Sequence, residues 1–257
     1  MAELQADVGV FGGSGFYEFL TDAEQVECDT PWGPPSAPIT LGTLAGVRVA
    51  FLPRHGAGHH LPPHAVPYRA NMHAMAHLGV RALVSPFAAG SLQPHIHPGD
   101  FVVVDQFVDR THGRPDTFHH ERFDDGPQHA SLADPYDPRL RRALVETAGE
   151  LGITVHDGGT VVVIQGPRFS TRAESAWFRS AGWQVVNMTQ YPEAALAREA
   201  GLAFAGVALV TDYDAGLEGG EIPPVTQEEV FGFFADNVHN VRELLVRALP
   251  RLASAPA

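Results

Sequence analysis

Eight small and apolar residues in a row, Ala203-Phe204-Ala205-Gly206-Val207-Ala208-Leu209-Val210, stop abruptly at Thr211-Asp212-Tyr213-Asp214. An apolar run this short, with polar residues at its end, predicts a buried strand. A strand that leaves two carboxylates at its C-terminal end places them where open α/β sheets hold ligands. A kink at the strand's end could aim both at one ligand. A plain turn, with Asp214 before Ala215-Gly216, or a helix cap accounts for the same residues without any ligand.

The rest of the chain alternates strand and helix signals. Val8–Phe11 predicts a strand ending in the glycine turn Gly12-Gly13-Ser14-Gly15. Ile39–Leu44 and Val47–Leu52 flank Ala45-Gly46 and predict a hairpin. Met72, Met75 and Ala76 have helical spacing in a segment from Arg69 to Leu78 that Gly79 ends. Ala82–Val84, Phe101–Asp105, Thr160–Ile164 and Gln184–Val186 predict further strands. Asp137-Pro138 predicts an N-cap with proline in the first helical position, opening a helix over about residues 138–151. Thr171-Arg-Ala-Glu174 and Thr226-Gln-Glu-Glu229 both have the capping-box pattern; the second opens a long helix to about Arg247. Pro192 opens a helix that ends at Gly201. Residues 110–135, rich in His, Asp, Gly and Pro, predict a long loop. With no linker and no internal repeat, the expectation is one α/β domain over 1–257.

Composition narrows the function. The net charge is −13 with histidine neutral, and no Lys/Arg cluster stands out, which argues against a nucleic-acid partner. An acidic chain that binds an anion has to build a local cationic pocket. No stretch approaches the ~20 apolar residues of a membrane span. The acidic segment Met1–Asp7 runs into a strand and reads as no signal peptide, and the single Cys28 allows no intrachain disulfide. These readings predict a cytoplasmic enzyme. Fourteen histidines include His55, His59 and His60, but H-E-x-x-H is absent and no carboxylate lies at ligand spacing beside them, so no metal site is expected.

Polar or glycine chemistry sits at five strand tips besides Asp212. Gly12-Gly13-Ser14-Gly15 offers backbone N–H groups and a hydroxyl. It is no G-x-G-x-x-G, since position 18 is Glu18, and no G-x-S-x-G, since position 16 is Phe16. Arg54-His55 supplies a fixed cation and a tunable donor. Ala88-Ala89-Gly90-Ser91 reads as a loop allowing close backbone approach. Gly166–Ser170 follows the 160–164 strand, and Asn187-Met188-Thr189 ends another. Each tip alone is explained by a turn. Together they converge on the carboxyl edge of one sheet.

The runs Gly12–Phe16, Arg54-His55-Gly56, Tyr68–Met72, Ala89–Leu92, Pro98-Gly99-Asp100, Asp105–Thr111, Gly166–Ser175, Asn187-Met188-Thr189 and Thr211–Asp214 occur in the order and approximate spacing of the trimeric purine nucleoside phosphorylases. Over nearly its whole length the chain resembles that family, and within it the 5′-methylthioadenosine phosphorylases. The resemblance implies a single mixed sheet flanked by helices. It also implies attack of inorganic phosphate on the anomeric carbon of a purine nucleoside, in a homotrimer, with no cofactor. It places Ser14, Arg54, His55, Ala88 and Thr189 at phosphate, Ser170 near the base and Met188 on the sugar. Asp212 and Asp214 fall at the purine N7 and the 6-substituent, with Asp212 as general acid. His129 matches a histidine that reaches a neighbouring subunit's 5′-pocket, completed by Val225, Val230 and Phe231.

Two departures from the family pattern stand out. Phe87 occupies a position where the family usually has a hydroxyl, which removes a donor from the phosphate side and adds bulk near the sugar. The C-terminal tail is also shorter than the resemblance implies. Three other readings compete: a phosphorylase for 6-oxopurines or other 5′-substituted nucleosides, a non-catalytic nucleotide-binding module, and a nicotinamide enzyme. Asp214 discriminates against the first, since a carboxylate accepts from a 6-amino group and repels a 6-oxo group unless protonated. Arg54, His55 and Asp212 argue against the second, and Glu18 in the glycine turn against the third.

Overall fold

The computed structural model describes residues 6–12, 23–119, 129–216 and 226–254, with the backbone alone at 227, 230, 231 and 234–236. In chain order the elements are β1 (Val8–Gly12), β2 (Glu24–Val26), β3 (Ile39–Leu44), β4 (Val47–Pro53), α1 (Tyr68–His77), β5 (Ala82–Ser91), β6 (Phe101–Val103) and β7 (Gln106–Arg110). They continue as α2 (Pro138–Glu150), β8 (Val155–Asp157), β9 (Thr160–Ile164), α3 (Arg172–Ser180), β10 (Val185–Asn187), α4 (Gln190–Glu199), β11 (Ala203–Asp212) and α5 (Gln227–Ser254).

All described strands join one mixed sheet. Its main path runs β2-β3-β4-β1-β5-β10-β9-β7, and β11 pairs β5 and β6, with β8 beyond β6. The β3–β4 hairpin closes on Ala45 and Gly46, both at positive φ (51° and 77°), as the tight two-residue turn requires. Helices cover both faces. Val241, Leu244, Leu245, Ala248, Leu249 and Leu252 of α5 recur at the i, i+3, i+4, i+7 spacing and bury one stripe, together with Leu140 and Leu144 of α2, on Val84, Val207 and Leu209. Burying side chains of this size stabilises the fold by about 1.5–3 kcal/mol each. The opposite face packs Met72 and Met75 of α1 and Leu196 of α4 on Leu83, Phe204 and Ala208. The eight-residue apolar run thus lies in the central strand β11, with successive residues turned to opposite cores.

Strand β5 decides where the site lies. β11 pairs it in parallel along nearly its whole length, from Ala203↔Ala82 to Asp212↔Gly90. Its other edge changes partner: β1 takes Ala82 to Val84 in parallel, and β10 takes Gly90 and Ser91 antiparallel. Residues 85–89 lie between the two pairings, and an opening is left in the sheet there.

Several sequence expectations are corrected. The 88–91 segment is not a loop but the end of β5, because β11 and β10 continue the ladder past Pro86. The strand expected at 184–186 is shifted by one and includes Asn187. The strand expected at 101–105 ends at Val103. Residues 106–110 form strand β7, which pairs β9 in parallel from Gln106↔Thr160 to Arg110↔Ile164. Helix α5 runs past Arg247 to Ser254 and carries Pro250 near its end. There the apolar stripe, through Leu252, outweighs the lost backbone donor. Both caps at 137 and 171 form as expected. Asp137 accepts from the Arg139 and Leu140 N–H groups, and Thr171 and Glu174 close a full capping box.

Candidate active site

The opening beside β5 is a cavity of about 350 Å³. Among the described residues its wall is built from the ends of β4, β5, β9, β10 and β11, and from residues 59–63 of the loop that follows β4. Strands with different partners thus end around one volume, the arrangement that makes a ligand crevice in open α/β sheets.

Asp212 and Asp214 both line it, and the strand end kinks between them and the regular ladder. The β11–β5 register shifts between Val210 and Asp212, and Asp214 sits at φ +50°. The turn is tied by the Asp214 N–H, which donates to Asp212 Oδ1 at 2.6 Å, while the Thr211 hydroxyl donates to Asp212 Oδ2 at 2.7 Å. Turn and binding readings of these acids are therefore the same structure. Gly90 makes room for it: a Cβ there would lie 2.9 Å from Asp212 Oδ1 and 3.1 Å from the Asp214 Cα.

Burial pushes the Asp212 carboxyl up to about 6, against the lowering effect of its two hydrogen bonds and with help from the nearby Asp214 charge. Burial raises Asp214 as well. Asp214 is 4 % exposed, and its Oδ2 has no hydrogen-bond partner among the described residues. Neither do Ser170 Oγ and Ser175 Oγ, both buried. These two hydroxyls are close enough to lower the carboxyl of Asp214, but they do not reach hydrogen-bond geometry with it. The buried Asp214 carboxyl, with the Ser170 and Ser175 hydroxyls beside it, forms a polar cluster at the edge of the cavity.

Arg54 and His55 follow β4 directly. Arg54 is 2 % exposed and lines the cavity. Its Nε donates to Glu193 Oε1 at 2.5 Å, and its Nη2 donates to Ser85 Oγ at 2.6 Å and to Glu193 Oε2 at 3.3 Å. Nη1 makes only a long contact, 3.4 Å, to the Pro86 carbonyl. The guanidinium is thus oriented from behind and keeps one nitrogen for the cavity. The Ser85 hydroxyl donates to Glu193 Oε2 at 2.7 Å and accepts from Gln190 Nε2 at 2.7 Å. His55 Nδ1 donates to the Leu61 carbonyl at 2.8 Å. Burial, and then the Arg54 charge, lower the imidazole to about 3. Thr189 follows β10, and its N–H donates to Asn187 Oδ1 at 2.7 Å.

Of the residues singled out in the sequence, Arg54, His55, Ala88, Thr189, Met188, Asp212 and Asp214 line this cavity. Ser170 lies behind it, beside Asp214. His129 is exposed and is not among the lining residues of its own chain. Ser14 and Val225 lie outside the described residues, as do the side chains of Val230 and Phe231 in α5. Phe87 is 3 % exposed and lines the cavity, so the aromatic bulk expected there is real.

The sequence reading missed Glu193, Ser85, Gln190 and Ser175. Glu193 offered a signal: it is a lone carboxylate in the otherwise apolar stretch Pro192–Ala197, on a helix whose next residues all face the core. Ser85, Gln190 and Ser175 carried none, since single polar residues in elements are indistinguishable from solvated ones.

Comparison with known proteins agrees with this architecture. The family model of the phosphorylase superfamily matches residues 7–250. This chain belongs to that family. It is 55 % identical to an S-methyl-5′-thioadenosine phosphorylase of Mycobacterium tuberculosis, over 96 % of this chain and 89 % of that one. It is 51 % identical to a purine nucleoside phosphorylase of Streptomyces coelicolor, over 98 % and 91 %. In three dimensions it is similar to the methylthioadenosine phosphorylase of Schistosoma mansoni in complex with adenine, with a TM-score of 0.90 at 39 % identity over 96 % of this chain and 91 % of that one. The single mixed sheet flanked by helices is therefore the nucleoside phosphorylase fold, as the sequence motifs implied.

Proposed function

We propose that the chain catalyses phosphorolysis of 5′-methylthioadenosine by inorganic phosphate, giving adenine and 5-methylthioribose 1-phosphate. The observation that carries this is the content of one cavity: the half-buried Asp212 and the buried Asp214 at the bulged end of β11, both with carboxyls raised by burial, and Arg54, His55 and Thr189 at the ends of β4 and β10. The relatives named for methylthioadenosine support the choice of nucleoside.

Breaking the glycosidic bond leaves a cationic sugar and builds negative charge on the purine. Asp212, whose carboxyl burial raises to about 6, delivers a proton to N7 as general acid. Each of its oxygens keeps a lone-pair site or a proton beyond the bonds from Thr211 and Asp214. Asp214 accepts from the 6-amino group, with the Ser170 hydroxyl beside it. Phosphate is held by the free edge of Arg54, by His55, by Thr189, by the Ala88 backbone and by Ser14, and from there it both attacks the anomeric carbon and stabilises the cation. Met188 packs on the sugar. Phosphate is a co-substrate, so neither a metal nor an organic cofactor enters the scheme. His129, exposed on its own chain, completes the 5′-pocket of a neighbouring subunit with Val225, Val230 and Phe231 in a cytoplasmic homotrimer.

The test is base release from methylthioadenosine, adenosine, inosine and methylthioinosine, with and without inorganic phosphate. Release should need phosphate and be fastest on methylthioadenosine. Equal release in phosphate-free buffer would overturn phosphorolysis. Preference for the inosine pair would favour the 6-oxopurine reading, which a protonated Asp214 would permit.

A further inference from the structure

His55 presents an unexpected face to an anion site. Its Nδ1 lies 2.8 Å from the Leu61 carbonyl oxygen. A carbonyl oxygen can only accept, so the ring proton is on Nδ1. The backbone repeats the tie in the other direction: the Leu61 N–H donates to the His55 carbonyl at 3.0 Å and closes the 55–61 loop. The His59 ring tilts against His55 with centroids 4.5 Å apart, and the ring of His60 sits where a Cβ on Gly56 would be. The imidazole is therefore fixed in place and in tautomer. A second proton is opposed by burial, by the Arg54 charge and by His59, which together outweigh the Leu61 carbonyl. At neutral pH Nε2, the ring nitrogen left for a ligand, carries a lone pair.

A lone pair opposes a fully deprotonated oxyanion and pairs only with one that carries a hydroxyl. Hydrogen phosphate and sulfate have the same tetrahedral shape and the same charge near neutral pH. They differ in one proton. We propose that His55 is a specificity residue that accepts a hydrogen bond from the hydroxyl of a protonated oxyanion, so that the site takes hydrogen phosphate and rejects sulfate. The inference rests on the phosphorolysis reading and deepens it: Arg54 and Thr189 supply attraction for any such anion, and His55 supplies the choice among them.

The experiment is direct binding of inorganic phosphate, arsenate and sulfate to the purified enzyme without nucleoside, by calorimetry near neutral pH. Arsenate, which also keeps a hydroxyl there, should bind within about tenfold of phosphate. Sulfate should bind about ten- to a hundredfold more weakly, the scale for leaving one hydrogen-bonding group opposed rather than paired. In His55→Gln the side-chain amide can turn its N–H toward the anion, and the sulfate penalty should shrink to within about threefold. Nitrogen-15 spectra of the wild-type imidazole should show Nδ1 protonated and Nε2 bare, a measurement that stands even where the variant does not fold. Sulfate binding as tight as phosphate, or a proton on Nε2, would overturn the assignment of His55 alone. If none of the three anions bound, the anion site itself and the phosphorolysis reading would fall together with it.

Discussion

At Asp212 a single residue shows how burial of a carboxyl sets a stability cost. Its carboxyl is raised to about 6 by burial, so the folded chain holds that proton more tightly than the unfolded chain does. The sign follows from linkage. The contribution is fully present below about pH 4, where both states are protonated, and is lost as pH rises through about 6. Above that, the ionised, largely buried carboxylate weighs against the fold by an amount on the order of 3 kcal/mol. Asp212→Asn removes the titration and keeps an oxygen for the Asp214 N–H. It should melt higher than the wild type at neutral pH, with the gap closing toward about pH 4, as thermal scans across pH would record. The same variant cannot deliver a proton as an acid, and its kcat should fall by ~10²–10⁴-fold on every nucleoside. Asp214→Asn should act on choice rather than on chemistry. Its amide donates where the carboxylate accepted, so activity should shift from methylthioadenosine toward methylthioinosine by roughly 1–3 kcal/mol in relative kcat/KM. An equal slowing of both substrates would show that Asp214 does not read the 6-substituent.

Between elements, the joint that matters most runs from α4 to the end of β4. Glu193 is 1 % exposed and Arg54 2 % exposed, and Ser85 and Gln190 complete a buried network that ties both to β5. Removing one partner leaves the other charge buried without compensation, which costs about 3–5 kcal/mol in known cases. Glu193→Ala should lose stability on that scale in urea titrations, and its KM for phosphate should rise more than its KM for nucleoside, because Arg54 loses its orientation. Helix α3 plays a smaller part at the other end of the cavity. Its capping box fixes the start of the helix that carries Ser175 toward Asp214, and Arg168 together with the Thr171 N–H holds Glu174 down at about 2.

For the whole molecule, the acidic net charge and the cavity beside β5 set the terms. A chain of net charge −13 gathers an anion only where donors are held against its own field, and Arg54 is held in that way. His129 is exposed and absent from the cavity of its own chain, which fits a role at a neighbour's site. Closed cyclic symmetry is common in homo-oligomers, and the assembly proposed above is a ring of three. Light scattering should therefore give a mass three times that of one chain, and His129→Ala should raise the KM for methylthioadenosine with little change in that for phosphate. A fully active monomer would contradict both expectations.

Local rules were enough for much of this. Hydrophobic runs, capping boxes, the Ala45-Gly46 turn and Asp137-Pro138 are short-range signals, and each produced its element. The polar strand ends were equally legible, because a strand that stops at Arg54, Thr189 or Asp212 announces itself where the apolar pattern breaks. Three things needed the tertiary structure. The extension of β5 through Ser91 depends on partners far away in sequence, β11 and β10, and no local pattern carries that pairing. The alliance of Arg54 with Glu193 spans 139 residues and exists only because α4 packs over the end of β4. The tautomer of His55 was set by a carbonyl six residues on, brought back by the loop. Sequence determines which groups are available at the strand ends; long-range packing decides which of them is charged, which is paired, and which is left to meet a ligand.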